Sequence, residues 1–561
     1  MSANGNWPEI KINGYPVDTS SDGYIEEVVV DDDLNLPTTF AITLRSVDDS
    51  PYRIGHSVEI SPPIGMIEKS LVKGEITTIT GDYDERGRRI HMRGYDVSHR
   101  LHRGRQTRTF ANVTDADICR GVASDAGIEI GTIDPTDTTH EHVSQANQSD
   151  WEFLKTIAKG VGFLLDVDEG KLNFKKPTDS ADAPDEGSLL ETMQYKLVYG
   201  QGLLEYRPRI SSAEQVSQVE VRGWDRENKR ELVGQALAGT TAAQISNITP
   251  GSLAQPFGSP TFVRADHPGE TSDEIDAAAK SLIEHIGGSF AEAEGMARGD
   301  GDLRAGTAVN ISGVADVFSG RFVLSHTRHV FNSQSYRTHF EISGQQRRSL
   351  LGLVTQPSYG GGNGKVGSGR IYGVVTAVVT GNDDPGQQGR VKVKMPWLAG
   401  NYESYWAPVV HAGAGPNSGS VYIPEVDDEV LVAFENGDVG RPYVLGGLYN
   451  GKDKPKLGDG LFDNGKVKRR GFISRKGHQL VFFDADGKSG IALLTSDNKI
   501  RVSLDESGRE LHVYGDTKVV VESAQEIDIK SEGTLNLQSK GKMTIKSDSV
   551  VDIDGSVIQL N

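Results

Sequence analysis

Between Leu511 and Ile553 the chain repeats itself every eight residues. Apolar residues hold positions one and three of six consecutive octads: Leu511 and Val513, Val519 and Val521, Ile527 and Ile529, Leu535 and Leu537, Met543 and Ile545, Val551 and Ile553. Position five is always small: Gly515, Ser523, Ser531, Ser539, Ser547 and Gly555. Alternation of apolar and polar residues is a strand signal, and a small residue after each short strand lets the chain turn a corner. The period therefore predicts a coil of short strands. One such ribbon has two inward residues per strand, too few to bury a core, and both its edges offer unpaired backbone groups. Three identical chains wound about one axis remove both problems, each octad forming one face of a triangular prism with the apolar pairs on the axis. The expectation is an obligate homotrimer with a rigid needle. With strands stacked about 4.8 Å apart and two turns per chain, the shaft is roughly 30 Å long.

Composition limits what the remainder can be. A chain of 561 residues with 36% hydrophobic content has room for three or four domains of an ordinary soluble protein. A net charge of −19 opposes general binding to nucleic acid or anionic membrane. Cys119 is the only cysteine, which excludes an intrachain disulfide and a cysteine-based metal site. Met1 to Ile10 lacks the basic start and apolar run of a signal peptide, and no stretch approaches the roughly 20 apolar residues of a membrane span. The expectation is cytoplasmic synthesis and assembly, with export by another machine.

The mainly β class extends through the rest of the chain. Residues 1–113 read as a strand-rich barrel, with strands at Glu26–Val30, Thr39–Leu44, Ser57–Ile60 and Lys73–Thr80. Residues 114–190 read as a helical and hairpin insertion. Thr114 with Asp117 and Ser149 with Glu152 are helix-start patterns, Gly160 stands near the second helix's end, and Asp168-Glu-Gly170 joins two strands. Residues 191–350 read as a second strand-rich barrel containing one helix that starts at Thr271 and Glu274. A glycine-rich linker, 351–369, precedes a run of strands at 370–451 (Ile371–Val379, Gly389–Met395, Tyr405–Val410, Val430–Phe434, Tyr443–Leu448), the size of a five-stranded barrel of the oligonucleotide-binding (OB) type. Residues 452–510 supply needle-base strands, and 511–561 the octads.

Candidate chemistry resolves to structural roles. Cys119 lies beside a helix stripe and reads as core. Asp166 with Asp168, and Asp484 with Asp486, lack the glycine and bidentate glutamate spacing of a calcium loop. His326, His329 and His339 on strands, and His140 and His142 in a loop, have no helical pairing or supporting cysteine to complete a metal site. The glycines of Tyr359–Gly369 are followed by no helix and no Gly-Lys-Ser/Thr, so they cradle no phosphate. The aromatics Trp397, Tyr405, Trp406 and Tyr449 do not alternate with a basic groove, which sets nucleic acid aside. The basic cluster Lys466, Lys468, Arg469, Arg470, Arg475 and Lys476 reads as a solvated collar facing acidic residues of neighbouring chains.

Gly389–Leu398, Glu403–Ala407, Ile423–Asp438, and Arg441-Pro442 leading to Gly447–Pro455 closely resemble the barrel of the valine-glycine repeat spike proteins (VgrG). Ser149–Leu154 and Val161–Phe163 resemble the hub domain that these proteins share with phage tail hubs, and Arg470–His478 resembles the start of their needle. Asp427 departs from the pattern, which usually has glycine there. The resemblance implies the trimeric hub and spike of a contractile injection system, capping the tail tube and puncturing a target membrane when the sheath contracts. An extracellular phage-tail-like particle is the favoured setting. A type VI secretion spike, or a phage tailspike-like glycan-binding adhesin, is the alternative. The implied partners are a tail-tube protein, baseplate proteins, a transient membrane contact and a PAAR-type tip protein seated on Ile558, Leu560 and Asn561, with no nucleic acid and no cofactor. Only about 60 residues separate Tyr449 from Leu511, below the usual domain size, and no nucleophile elbow or metal-helix motif appears, so no enzyme is expected.

Overall fold

The computed structural model describes residues 7–17, 25–45, 51–63, 69–85, 87–185, 195–266, 269, 271–344, 370–457 and 460–559. The chain divides into two compact units, Met1–Leu448 and Tyr449–Asn561. The expected linker 351–369 lies outside the described residues.

The first unit is organised by an eleven-stranded antiparallel sheet. Its strands run in the order Leu203–Ile210, Ala291–Arg298, Tyr336–Ile342, His326–Asn332, Ile25–Asp33, Leu36–Arg45, Gly87–Asp96, Val72–Asp84, Ser57–Ser61, Glu9–Ile12 and Tyr15–Pro16. The two regions read separately from sequence thus share one sheet, joined where His326 to Asn332 pair with Asp33 to Glu27. The sheet lines two cores. Val28, Phe40, Ile42, Ile60, Ile76 and Met92 fill one, and Leu203 and Phe340 join Phe290, Val309 and Phe322, from outside the sheet, in the other.

The insertion follows its local signals. At α1 (Asp115–Asp125) the Thr114 hydroxyl accepts from the Asp117 N–H at 3.2 Å while the Asp117 carboxylate accepts from the Thr114 N–H at 3.3 Å. Ser149 and Glu152 do the same at α2 (Asp150–Val161). The second helix ends two residues after Gly160: Gly162, at φ 74°, is the left-handed stop, a conformation glycine adopts without a Cβ clash. Glu169 and Gly170, at φ 51° and 77°, form the two-residue turn between Leu164–Asp168 and Lys171–Lys175. Cys119, Val122, Leu154, Leu165 and Phe174 build the insertion's core, each side chain contributing roughly 1.5–3 kcal/mol by leaving water.

A short helix, α3 (Pro250–Ala254), precedes α4 (Ser272–Gly287). The latter packs Ile275, Ala279 and Leu282 onto the sheet formed by Gln218–Asp225, Arg230–Leu237 and Thr261–Arg264. The last part of the unit is a four-stranded sheet ordered Lys392–Lys394, Val375–Gly381, Glu429–Phe434 and Pro442–Gly447. The expected strand Tyr405–Val410 is not continuous. It contributes single bridges, Val391 to Ala407 and Val409 to Val444, because Pro408 interrupts its backbone donors. Asp427 keeps the left-handed turn at φ 75°, its N–H donating to the Val379 carbonyl at 2.9 Å.

Two joints hold the segments of this unit together. Arg304 donates to the carbonyls of Ser70 (2.6 Å) and Leu71 (2.8 Å) and lies 3.5 Å from Asp168 and 3.7 Å from Asp32, so one guanidinium touches three segments. At the barrel, Ala146 from the insertion strand Thr139–Gln148 enters the core with Val393, Tyr402 and Val432, and the Ser144 and Tyr402 hydroxyls lie 3.2 Å apart.

The second unit opens with a five-stranded antiparallel meander, Arg469–Ile473, Gln479–Ala485, Lys488–Leu494, Ile500–Asp505 and Glu510–Gly515. Four of its five strands fall in the range 452–510 read as the needle base.

Candidate functional site: an unpartnered apolar face

The register of the meander places two apolar rungs side by side. Phe472 pairs with Leu480, Leu480 with Leu493, Leu493 with Val502 and Val502 with Val513. Two residues along, Phe482 pairs with Ile491, Ile491 with Leu504 and Leu504 with Leu511, with Arg470 at the end of the rung. Residues two apart on a strand share a face, so all nine apolar side chains lie on one side of the sheet. That side is open: Ile491 and Leu493 are 38% and 53% exposed, while Ala492 between them is 4% exposed. Among the described residues of this unit, only Leu457, Val481 and Ala492 are buried apolar residues. A contiguous apolar face of this kind marks an interaction surface.

The first octad pair, Leu511 and Val513, belongs to this face, and the exposure of the later pairs repeats from octad to octad. From Val519 to Ile553, the first member of each pair is 49–52% exposed and the second 63–71%. The chain thus repeats one geometry at each octad. Backbone bends recur at 516–517, 524–525, 532–533, 540–541 and 548–549, again every eight residues. At these corners the position-five serines do more than stay small. Ser523, Ser531, Ser539 and Ser547 each accept the N–H two residues ahead, at 3.1–3.3 Å. Sequence reasoning read only the size; the recurrence of serine rather than alanine was the signal for the hydrogen bond. Beyond Gly515 this stretch forms no strand ladder within its own chain among the described residues. Ile558 is 55% exposed, and Leu560 and Asn561 lie outside the described residues.

The other candidates are placed as structure. Cys119 is buried, and burial, with Asp115 nearby, pushes its thiol well above the usual range. Asp168 meets Lys69 at 2.5 Å, and Asp166 meets Lys175 at 3.1 Å, so each carboxylate is paired with a lysine. Arg470 pairs with Asp484, and Lys466 lies 3.9 Å from Asp486. These acidic partners of the basic cluster belong to the same chain. His326 lies 3.4 Å from Asp31, and His329, on the same strand, is buried with its Nδ1 2.9 Å from the Tyr336 hydroxyl. Burial drives the His329 ring down to about 3, so it is neutral. His339 lies on the neighbouring strand opposite Met296. Among the described residues no three metal-ligating side chains converge.

Comparison with known proteins places this geometry. The family described as the Alg8 N-terminal domain matches residues 29–333, more than half of the chain, and the type VI secretion system/phage-baseplate injector OB domain matches residues 375–449. A type VI secretion system spike protein, VgrG1a of Pseudomonas aeruginosa, is 29% identical over 212 residues, covering 36% of this chain and 32% of the relative. The actin cross-linking toxin VgrG1 of Vibrio cholerae is 26% identical over 178 residues, 30% of this chain and 14% of the relative. The chain therefore spans a third or less of the length of these curated relatives. A type VI secretion component of E. coli, described as similar to the T4 bacteriophage tail proteins gp27 and gp5, aligns with a TM-score of 0.48 at 14% identity, over 78% of this chain and 99% of that one. With one family covering most of the sheet and the insertion and the other the barrel that follows, the chain belongs to the Alg8 N-terminal domain family and to the VgrG and phage hub-spike proteins.

Proposed function

We propose that this chain is the central hub and spike of a contractile injection machine, working as a homotrimer in which the apolar face of the second unit is turned toward the threefold axis. The observation that carries the reading is that face: nine apolar side chains on one side of a sheet, continuous with an octad stripe that one chain does not bury. Two further copies complete it, because every copy presents the same stripe at the same period and an intertwined coil leaves no sheet edge open along its length. The role is mechanical. The stretch 469–515 is occupied by the meander, whose sequence continues directly into the octads. The first unit is read as the hub that seats on the tail tube and baseplate, the barrel as its collar, and Ile558, Leu560 and Asn561 as the seat of a PAAR-type tip protein. Synthesis and assembly take place in the cytoplasm, with later release as part of an injection particle that contacts the target membrane.

Electron microscopy of the native particle tests this assignment. The expected image is a tail tube ending in a threefold hub with one tapering needle. Particles in which antibody against this chain labels the sheath or tail fibres would overturn it. The curated relatives favour a second reading, a cell-anchored type VI spike. Free sheathed particles in culture medium support the first setting, and label confined to cell envelopes supports the second.

A further inference from the structure

The strand Thr139–Gln148 carries two histidines two residues apart, and each closes a different joint. His140 Nε2 lies 2.9 Å from Asp115 at the start of α1, and its Nδ1 lies 3.7 Å from Glu274 on α4. The Asp115 hydrogen bond, reinforced by the two carboxylates, raises the His140 ring above the usual histidine range against the effect of burial. His142 faces the barrel instead. Its ring stacks on Tyr405 with centroids 5.9 Å apart. Its Nδ1 is buried with no hydrogen-bond partner among the described residues. Burial, together with the nearby Lys392 ammonium, lowers this ring below the usual histidine range.

The charged groups around His142 are already engaged with one another. Lys392 lies 3.3 Å from Glu403, and Glu403 also accepts from the Thr380 hydroxyl at 2.7 Å. Glu141, on the histidine's own strand, accepts from the Tyr405 hydroxyl. Arg390 and Asp384 form a 2.8 Å pair of their own. The Glu403 carboxylate offsets part of the Lys392 charge, so what a proton added at Nδ1 brings into this joint is a positive charge beside an existing ion pair and a buried N–H with no acceptor among the described residues.

We propose that the contact between Thr139–Gln148 and the barrel is an acid-sensitive release point, in which protonation of His142 loosens the barrel while His140 keeps the strand seated on α1 and α4. The two histidines respond in opposite directions. His142, depressed in the folded state, contributes stability above the ordinary value of about 6.5 and loses it as pH falls. His140, raised in the folded state, contributes fully below about 6.5 and loses its contribution as pH rises through its elevated value. Acid thus tightens one joint and opens the other.

Hydrogen–deuterium exchange of the full chain at pH 7.5 and 5.5, corrected for intrinsic rates, tests this. The lower pH stays above the ordinary carboxylate range of about 4. In the unaltered protein, backbone amides of Val391–Tyr405 are expected to exchange at least about fivefold faster at pH 5.5, and His140→Gln is expected to keep that response. His142→Gln, or His142→Phe, which retains the ring stack, should abolish it; the comparison uses whichever variant keeps normal protection at pH 7.5. Equal protection of the unaltered protein at both pH values overturns the proposal. So does an undiminished acid response in the His142 variant, and so does loss of protection at pH 7.5 in both variants, which would make the ring's role structural.

Discussion

The two units of this chain solve the problem of burying apolar surface in opposite ways. In Met1–Leu448 the alternating residues of every major sheet meet a core supplied by the same chain: Phe40 and Ile60 in one, Phe322 and Phe340 in the next, Leu154 and Phe174 in the insertion, Val393 and Val432 in the barrel. In Tyr449–Asn561 the alternation is as regular, yet the apolar side faces outward. Alternation alone therefore specifies a strand and its two faces, not which molecule covers the apolar one. The period separates the two cases. Strands of the first unit vary in length and are joined by turns of several kinds, whereas the octads repeat one length and one corner. That regularity suits a coil whose neighbours are copies of itself.

The sharpest way to break this comparison is to charge the stripe. Burying one Ile529 in each of three chains is worth roughly 5–9 kcal/mol in total. Ile529→Lys is expected to abolish the needle and reduce the assembly's mass on chromatography with light scattering. Lys530→Glu, one residue on, should leave it unchanged, because Lys530 is exposed and contacts only Asp528 of its own chain, at 2.8 Å. Equal tolerance at both positions would show that the stripe does not face the axis.

The reciprocal experiment cuts a core that the chain supplies to itself. Leu154→Ala leaves a cavity in the insertion and should lower the first unit's stability by about 2–5 kcal/mol, seen as an earlier calorimetric transition, without changing the assembly's mass. Dissociation of the assembly would show that the stripe alone does not hold the copies together.

A smaller effect comes from pH. Asp96 is buried, and the loss of water pushes its carboxyl up to about 7, although the N–H groups of Thr38 and Ser98 oppose the rise. A raised acid contributes stability fully below its unfolded value of 3.8 and loses it as pH rises through about 7. The first unit should therefore lose about 1 kcal/mol between pH 6 and 8. Asp96→Asn should flatten that slope in thermal melts, and an unchanged slope would assign it to another group.

The smallest expected change is at a corner of the octads. Ser531→Ala removes a hydroxyl that accepts the Gly533 N–H, and should lower the needle's melting point by an amount equivalent to about 0.5–1.5 kcal/mol per chain. No shift at all would make the serine's small size its whole contribution.

Much of this was legible in the sequence wherever the cause is local. Thr114 with Asp117 and Ser149 with Glu152 announced their helices because a cap is completed within four residues, and Glu169-Gly170 announced its hairpin because both φ values are positive. What stayed hidden depends on residues far apart. The pairing of His326–Asn332 with Glu27–Asp33 joins two regions about 300 residues apart in sequence, and nothing in either stretch names the other. The same holds for His140 and His142. As sequence they were two histidines without ligand spacing, and only the fold brings Asp115 and Glu274 to one and Tyr405 to the other. The octad side chains are the intermediate case: their exposure repeats with the eight-residue period, while the axis they are proposed to face is inferred from its regularity.

The central claim is that the second unit's apolar face is completed by two further copies of this chain. Multi-angle light scattering on the purified protein at micromolar concentration measures it most directly. A single species at three times the 60.6 kDa chain mass is the predicted result. A folded, stable species at 60.6 kDa would contradict it.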